Sequence, residues 1–321
     1  MYFLKNVIMD KIKLTDAVKL LKTGNLMQRS TANKLLLSSV DQFSDKVAVE
    51  LISLLENKDC QADAKKILLS FAHYAWYHSL HYTNAEKKLV NLMATKEYCN
   101  VADEILAVYL QRYDNYLQNK LSAEAETELV SLLVKADCSQ VAQNFFWSYV
   151  EYYTNGTWGV PYYRNLSDCA LTKLVGYLQD KDYRNAAMNI LLRYLDNCRG
   201  YIGSYGIHTP SHSFLPKHEV ELVRLLKKED SRDMAKELLL KYFNSHNIRL
   251  SKQAEAELIL LLWKKEYRET AKDILLKYAK YHDFHNVSKA RFDKFLKFAH
   301  LFKTKTCKNE LAYFQMELLV A

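Results

Sequence analysis

The chain has 321 residues, of which 49% are hydrophobic and 26% charged, and its formal net charge is +8. That length can bury a large core, either as two globular domains or as one elongated array. Only 7 Gly and 3 Pro speak against sheet-and-turn architectures and for helices throughout, and six Cys with no C-x-x-C pair speak against a disulfide scaffold or a zinc ribbon.

The chain opens with MYFLKNVIMDKIKL, where charges are scattered and neither a signal-peptide core nor a cleavage site is present. Together with the absence of any apolar run near membrane-spanning length, this gives a soluble protein of the cytoplasm. An effector exported without a cleaved signal would read the same way. Residues 1–44 then read as a divergent first helical pair: Ala17, Leu20 and Leu21 on one face, Gly24-Asn25 as the turn, Leu35 and Leu36 on the second helix.

From residue 45 a frame repeats. In Ala254–Tyr278, Leu258, Ile259, Leu261 and Leu262 form the stripe of one helix. Lys264, Lys265 and Glu266 break it, and Ala271, Ile274, Leu275 and Tyr278 follow at the i, i+3, i+4, i+7 spacing of a second helix with one buried face. The anchor leucine recurs as Leu51, Leu89, Leu129, Leu174, Leu222 and Leu258. Thirteen residues later stands Ala64, Ala102, Ala142, Ala187, Ala235 or Ala271, and seven further on Phe71, Tyr109, Tyr149, Tyr194, Tyr242 or Tyr278. A small residue at one fixed place fits a close approach of two helices, and a closing aromatic fits a large residue sealing the pair. Cys60 and Cys138 occupy the slot that Tyr98, Tyr183 and Tyr267 fill elsewhere, so they read as reduced thiols in a packing position.

One such pair buries too little apolar surface to offset the ordering of its own chain, so neighbours must stack on it. The LV-x-L-L … A-x-x-I-L-x-x-Y pattern, from about Asp45 to Tyr278, resembles the HEAT-like class of helical-pair repeats. That resemblance implies an all-α fold: a right-handed α-solenoid of about seven to eight antiparallel helical pairs. The single domain would cover residues 1–321, with a capping pair at 1–44, six repeats over 45–288 and a closing pair at 289–321. The resemblance implies nothing specific about function.

The variation lies between units. Counted from closing aromatic to next anchor leucine, the connectors span 18, 20, 25, 28 and 16 residues. The two longest contain NGTWGVPYYRNLSD (155–168) and RGYIGSYGIHTPSHSFLPK (199–217), and hold five of the seven Gly and all three Pro. They are therefore true loops. In a solenoid, adjacent loops of this kind emerge side by side on one edge, and enlarged ones mark a binding edge. All ten His fall outside the six framed units. Trp158, Tyr162, Tyr163, Arg164, Tyr201, Tyr205, His208 and His212, with Phe214 beside them, mix rigid aromatics with Gly, Ser and Asn, the composition of recognition surfaces.

Catalytic signatures are missing. Gly200–Gly206 is glycine-rich but lacks the strand and the Lys-Ser/Thr ending of a phosphate loop. Pro210 breaks any helix that would pair His208 with His212, and His78 and His81 have no third ligand nearby in the sequence. Asn155-Gly-Thr and Asn165-Leu-Ser match glycosylation sequons by chance. Glu124, Glu126 and Glu128 stand at a helix start, where carboxylates complement the dipole. The sequence therefore names no catalytic residue, cofactor or metal site, and leaves the oligomeric state open. Its first reading is a non-enzymatic scaffold that binds a protein or peptide through the eight loop residues named above. The second is nucleic-acid binding, because residues 201–321 carry 22 basic and 15 acidic side chains. The third is an enzyme of unfamiliar type with its site under the two long loops.

Overall fold

The computed structural model describes residues 13–77, 82–110, 120–135, 140–150, 166–197, 214–246 and 250–281. Among them there are 14 α-helices and no strand. In chain order they are α1 (Leu14–Thr23), α2 (Leu26–Ser38), α3 (Asp45–Ser53), α4 (Gln61–Tyr77), α5 (Thr83–Leu92), α6 (Cys99–Leu110) and α7 (Ala123–Leu133). Next come α8 (Gln140–Val150), α9 (Asp168–Tyr177), α10 (Arg184–Asn197), α11 (Pro216–Leu225), α12 (Glu229–His246), α13 (Lys252–Leu261) and α14 (Arg268–Tyr281). No described helix is long and apolar enough to cross a membrane. The closing pair expected at 289–321 lies outside the described residues.

The repeating frame maps onto the core. All six anchor leucines are buried, the six alanines are each 0% exposed, and every closing aromatic is at most 5% exposed. Full burial of the alanine agrees with a small residue placed where packing is tight. The helix starts are also set by the frame. Ser44, Ser122, Ser167 and Ser251 stand seven residues before an anchor leucine, and each Oγ accepts the backbone N–H three residues on, at 3.3 Å. This is N-capping. The residue before each cap, Phe43, Leu121, Leu166 or Leu250, is buried and fixes how the chain enters the helix. In the first pair the Gly24-Asn25 turn forms as read: Asn25 caps α2 and Gln28 reaches back to the Asn25 N–H at 2.9 Å. A Cβ on Gly24 would stand 2.5 Å from the Leu20 carbonyl oxygen.

The chain divides into two compact units, residues 1–173 and 174–321. In the first, α1 packs on α3, α3 on α5 and α5 on α7, while α2 packs on α4, α4 on α6 and α6 on α8. First helices thus meet first helices, and second helices meet second helices. Polar bonds follow the same rule: Asp45 accepts the Ala85 N–H at 2.9 Å, Lys87 meets Glu128 at 3.2 Å, and Lys65 meets Glu104 at 2.5 Å.

In the second unit α11 packs on α13, and α10 and α14 both pack on α12. Lys227 bonds Glu257 at 3.2 Å between first helices, and Lys236 bonds Asp273 at 2.6 Å between second helices. The turn inside each pair is closed by an arginine. The Nε of Arg184, Arg232 and Arg268 donates to the carbonyl six residues earlier, on Leu178, Leu226 and Leu262, at 3.0, 3.1 and 2.9 Å. Orphan carbonyls at a helix C-terminus are thereby satisfied. The Arg232 guanidinium also lies 5.1 Å from the centre of the Tyr267 ring in the next pair.

Candidate functional site

The residues singled out for binding, Trp158, Tyr162, Tyr163, Arg164, Tyr201, Tyr205, His208 and His212, all lie outside the described residues. The two loop ends that are described behave as core. Leu166 is 4% and Phe214 3% exposed, and the Phe214 ring sits 5.0 Å from that of Tyr242. Phe214 therefore does not belong with the recognition aromatics; it plugs the base of its connector. Phe71 and Tyr82 do the same in the first unit, with ring centres 4.7 Å apart.

What the structure places at the connector bases is a buried carboxylate. Glu86, Glu126 and Glu219 stand three residues before an anchor leucine, on the core side of the first helix, and are 2%, 0% and 3% exposed. Each accepts from the closing tyrosine 23 residues later: Tyr109 Oη at 2.6 Å from Glu86, Tyr242 Oη at 2.9 Å from Glu219, and Tyr149 Oη on Glu126. The second carboxylate oxygen takes the backbone N–H of the serine that caps the next pair. Ser122 N lies 2.6 Å from Glu86 Oε2, Ser167 N 2.5 Å from Glu126 Oε2, and Ser251 N 2.7 Å from Glu219 Oε2.

The serine N–H also marks the positive end of a helix, so the anion is held by two charge-assisted bonds and a dipole. The next tyrosine extends the network, since Leu121 N donates to Tyr149 Oη at 3.3 Å and Leu250 N to Tyr278 Oη at 3.2 Å. Burial and the adjacent carboxylate together push the Tyr109 and Tyr242 hydroxyls well above the ordinary tyrosine range. The phenols are therefore neutral donors. Glu124 and Glu126 both stand in the first turn of α7, as the dipole reading has it, but Glu126 is buried and is also the acceptor just described, with Lys120 Nζ 3.7 Å away.

Where the glutamate is replaced, the next cap is not a serine. The frame position is Ala48 in the first unit of the repeat, whose closing residue is Phe71, without a hydroxyl. The next cap is Tyr82, and its N–H turns to its own helix, to Glu86 Oε1 at 3.4 Å. The position is Leu171 before the longest connector; the following cap is Leu215, whose N–H bonds His218 Nδ1 at 3.3 Å. At the five junctions between framed units, serine caps follow glutamates and other caps follow their absence; Ser44, which opens the first framed unit, has no glutamate before it. The spacing Glu-x2-Leu with Tyr 23 residues after Glu is visible in the sequence, because four of the six units carry that Glu: Glu86, Glu126, Glu219 and Glu255.

Other polar slots are also consumed by packing. Buried Cys60 donates its S–H to the Leu21 carbonyl at 3.2 Å, and Ser231, in the same frame slot, donates to Leu178 O at 3.3 Å. Among the described residues no group of three His, Cys, Asp or Glu side chains has a metal-binding arrangement. An open cleft of about 400 Å³ runs along α12, lined by Asp233, Lys236, Glu237, Leu240, Lys241, Asn244 and Lys277. Lys236 and Lys277 lean on Asp273, and Lys241 on Asp196, so the cleft has no dominant charge.

Fold and connector bases together define an all-helical protein whose helical pairs carry a common internal frame. No family model matches the chain, and no curated protein matches it. Among solved structures, a crystal structure of an engineered protein from a structural genomics consortium aligns over 84% of this chain and 97% of that one, at 15% identity and a TM-score of 0.24. A likeness at that score fixes neither fold nor activity.

Proposed function

We propose that the helical pairs form one right-handed α-solenoid of about seven to eight pairs that serves as a non-enzymatic binding scaffold. Its partner is a protein or peptide, held by the connector loops at 155–168 and 199–217. The observation that carries this reading is the confinement of variation. Connectors of unequal length leave and re-enter helical pairs that share one frame, so the elaboration lies in the loops, and loops with that behaviour are the usual carriers of recognition. Trp158, Tyr162, Tyr163, Arg164, Tyr201, Tyr205, His208 and His212 are the anchors. The test is Trp158→Ala combined with Tyr201→Ala, with affinity capture from the native host and mass spectrometry. The pair of substitutions leaves the thermal melt in place and removes the captured partner. Unchanged capture sinks the loop assignment.

A second reading, nucleic-acid binding, rests on the basic excess of residues 201–321 and on aromatics able to stack on bases. A filter-binding titration with single-stranded oligonucleotides separates the two. Affinity that falls steeply with salt supports this reading, and no affinity at low salt removes it.

A further inference from the structure

We propose that the buried glutamates are clamps that close the connectors regardless of connector length, so that connectors can be exchanged between pairs without rebuilding the core. Such a clamp would act whether or not the loops bind a partner.

One carboxylate grips both ends of a connector. The closing tyrosine lies in the last turns of the helix before the connector, and the capping serine opens the helix after it; Glu86, Glu126 and Glu219 each hold both. The three segments between clamped tyrosine and serine are residues 110–121, 150–166 and 243–250, the last beginning with the final turn of α12, and they are unequal in length and unrelated in sequence. Their ends are nevertheless alike. An apolar residue follows each tyrosine (Leu110, Val150, Phe243) and another precedes each serine (Leu121, Leu166, Leu250), and all six are buried. Lengthening a flexible loop whose ends are already held costs little, because closure entropy grows only with the logarithm of length. Across the five junctions between framed units, a serine cap appears after each glutamate and at no other junction, as Tyr82 and Leu215 show. Cap and clamp therefore behave as one device.

The test uses the full chain with residues 151–165 replaced by residues 111–120, which keeps Tyr149, Val150, Leu166 and Ser167. It is made with and without Glu126→Gln, which preserves volume but offers the Ser167 N–H and Tyr149 hydroxyl one acceptor oxygen where the carboxylate offered two. Hydrogen exchange of the Ser167 amide reads the clamp directly, and thermal melting reads the whole chain. With Glu126 intact, the exchanged connector melts within about 5 °C of wild type and the Ser167 amide stays slow. Glu126→Gln alone speeds Ser167 exchange by about tenfold or more. The combination loses more melting temperature than the two changes summed, because the foreign connector has no native contacts of its own to fall back on.

Two results overturn the proposal: a larger melting loss from the exchanged connector with Glu126 present, or additive losses in the combination. Unchanged Ser167 exchange in Glu126→Gln overturns it as well. None of these readouts involves a partner, so they fail or succeed separately from the binding experiment.

Discussion

The Tyr242 hydroxyl donates to Glu219 Oε1 at 2.9 Å, and neither side chain has meaningful access to water, at 0% and 3% exposure. A pair like this is costly to break on one side and cheap to remove whole, because the loss lies in the partner left unsatisfied. The chain carries its own precedent in Ala48 and Phe71, which fill the same two places without either polar group.

Tyr242→Phe should therefore cost about 1–3 kcal/mol and Glu219→Ala about 3 kcal/mol or more, the latter also stranding the Ser251 N–H. The double change should cost clearly less than their sum. Urea denaturation of the four proteins measures this, and strict additivity would show that the two residues do not act as a pair.

The same tyrosines predict alkaline instability. Tyr109 and Tyr242 have hydroxyls raised from 10.0, first by burial and then by the neighbouring carboxylate. A raised folded value means that the folded state holds the proton more tightly. The stabilisation is complete below pH 10 and declines above it, by about 1.4 kcal/mol per pH unit for each such tyrosine. Denaturation curves between pH 8 and about pH 11.5 should show the decline, and Tyr242→Phe should reduce its slope. An unchanged slope in that variant would remove Tyr242 from the account.

Arg232 makes two contacts that lysine cannot reproduce together, an Nε bond to the Leu226 carbonyl and a ring contact with Tyr267. Arg232→Lys keeps the charge and should still cost about 1–2 kcal/mol. If chemical denaturation finds lysine as good as arginine, charge alone accounts for the residue.

Cysteine reactivity should divide along exposure. Cys169 is exposed on α9, whereas Cys60 is buried and its thiol is pushed up by burial. A maleimide added to the folded protein should modify Cys169 first and leave Cys60 intact until denaturant is added. Peptide mapping distinguishes the two, and early labelling of Cys60 would contradict the packing of α4 against the first pair.

Much of this was readable from spacing. The anchor leucines, the alanines and the closing aromatics lie in the core because a helix with one apolar stripe has a single way to hide it. The inner turns at Gly24-Asn25 and Lys264–Glu266 fall where polar breaks and a capping asparagine put them. Glu126 stands at the helix start as expected, but its burial was not legible there, for a physical reason. A carboxylate near a helix start is usually a solvated complement to the dipole, and only a partner 23 residues away makes burial tolerable. Phe214 was misread because Gly, Ser and His surround it in the chain, while its actual neighbour is Tyr242.

The sequence by itself determined the helical pairs, their common frame and the unequal connectors, since periodicity, capping and chain breakers act within a few residues. Only the tertiary structure decided which polar groups are sealed inside. The bonds from Glu86, Glu126 and Glu219 reach 23 residues ahead to a tyrosine and then to the next pair's cap. Local propensity carries no record of a donor that far along the chain. A buried charge is stable only where folding delivers its donors.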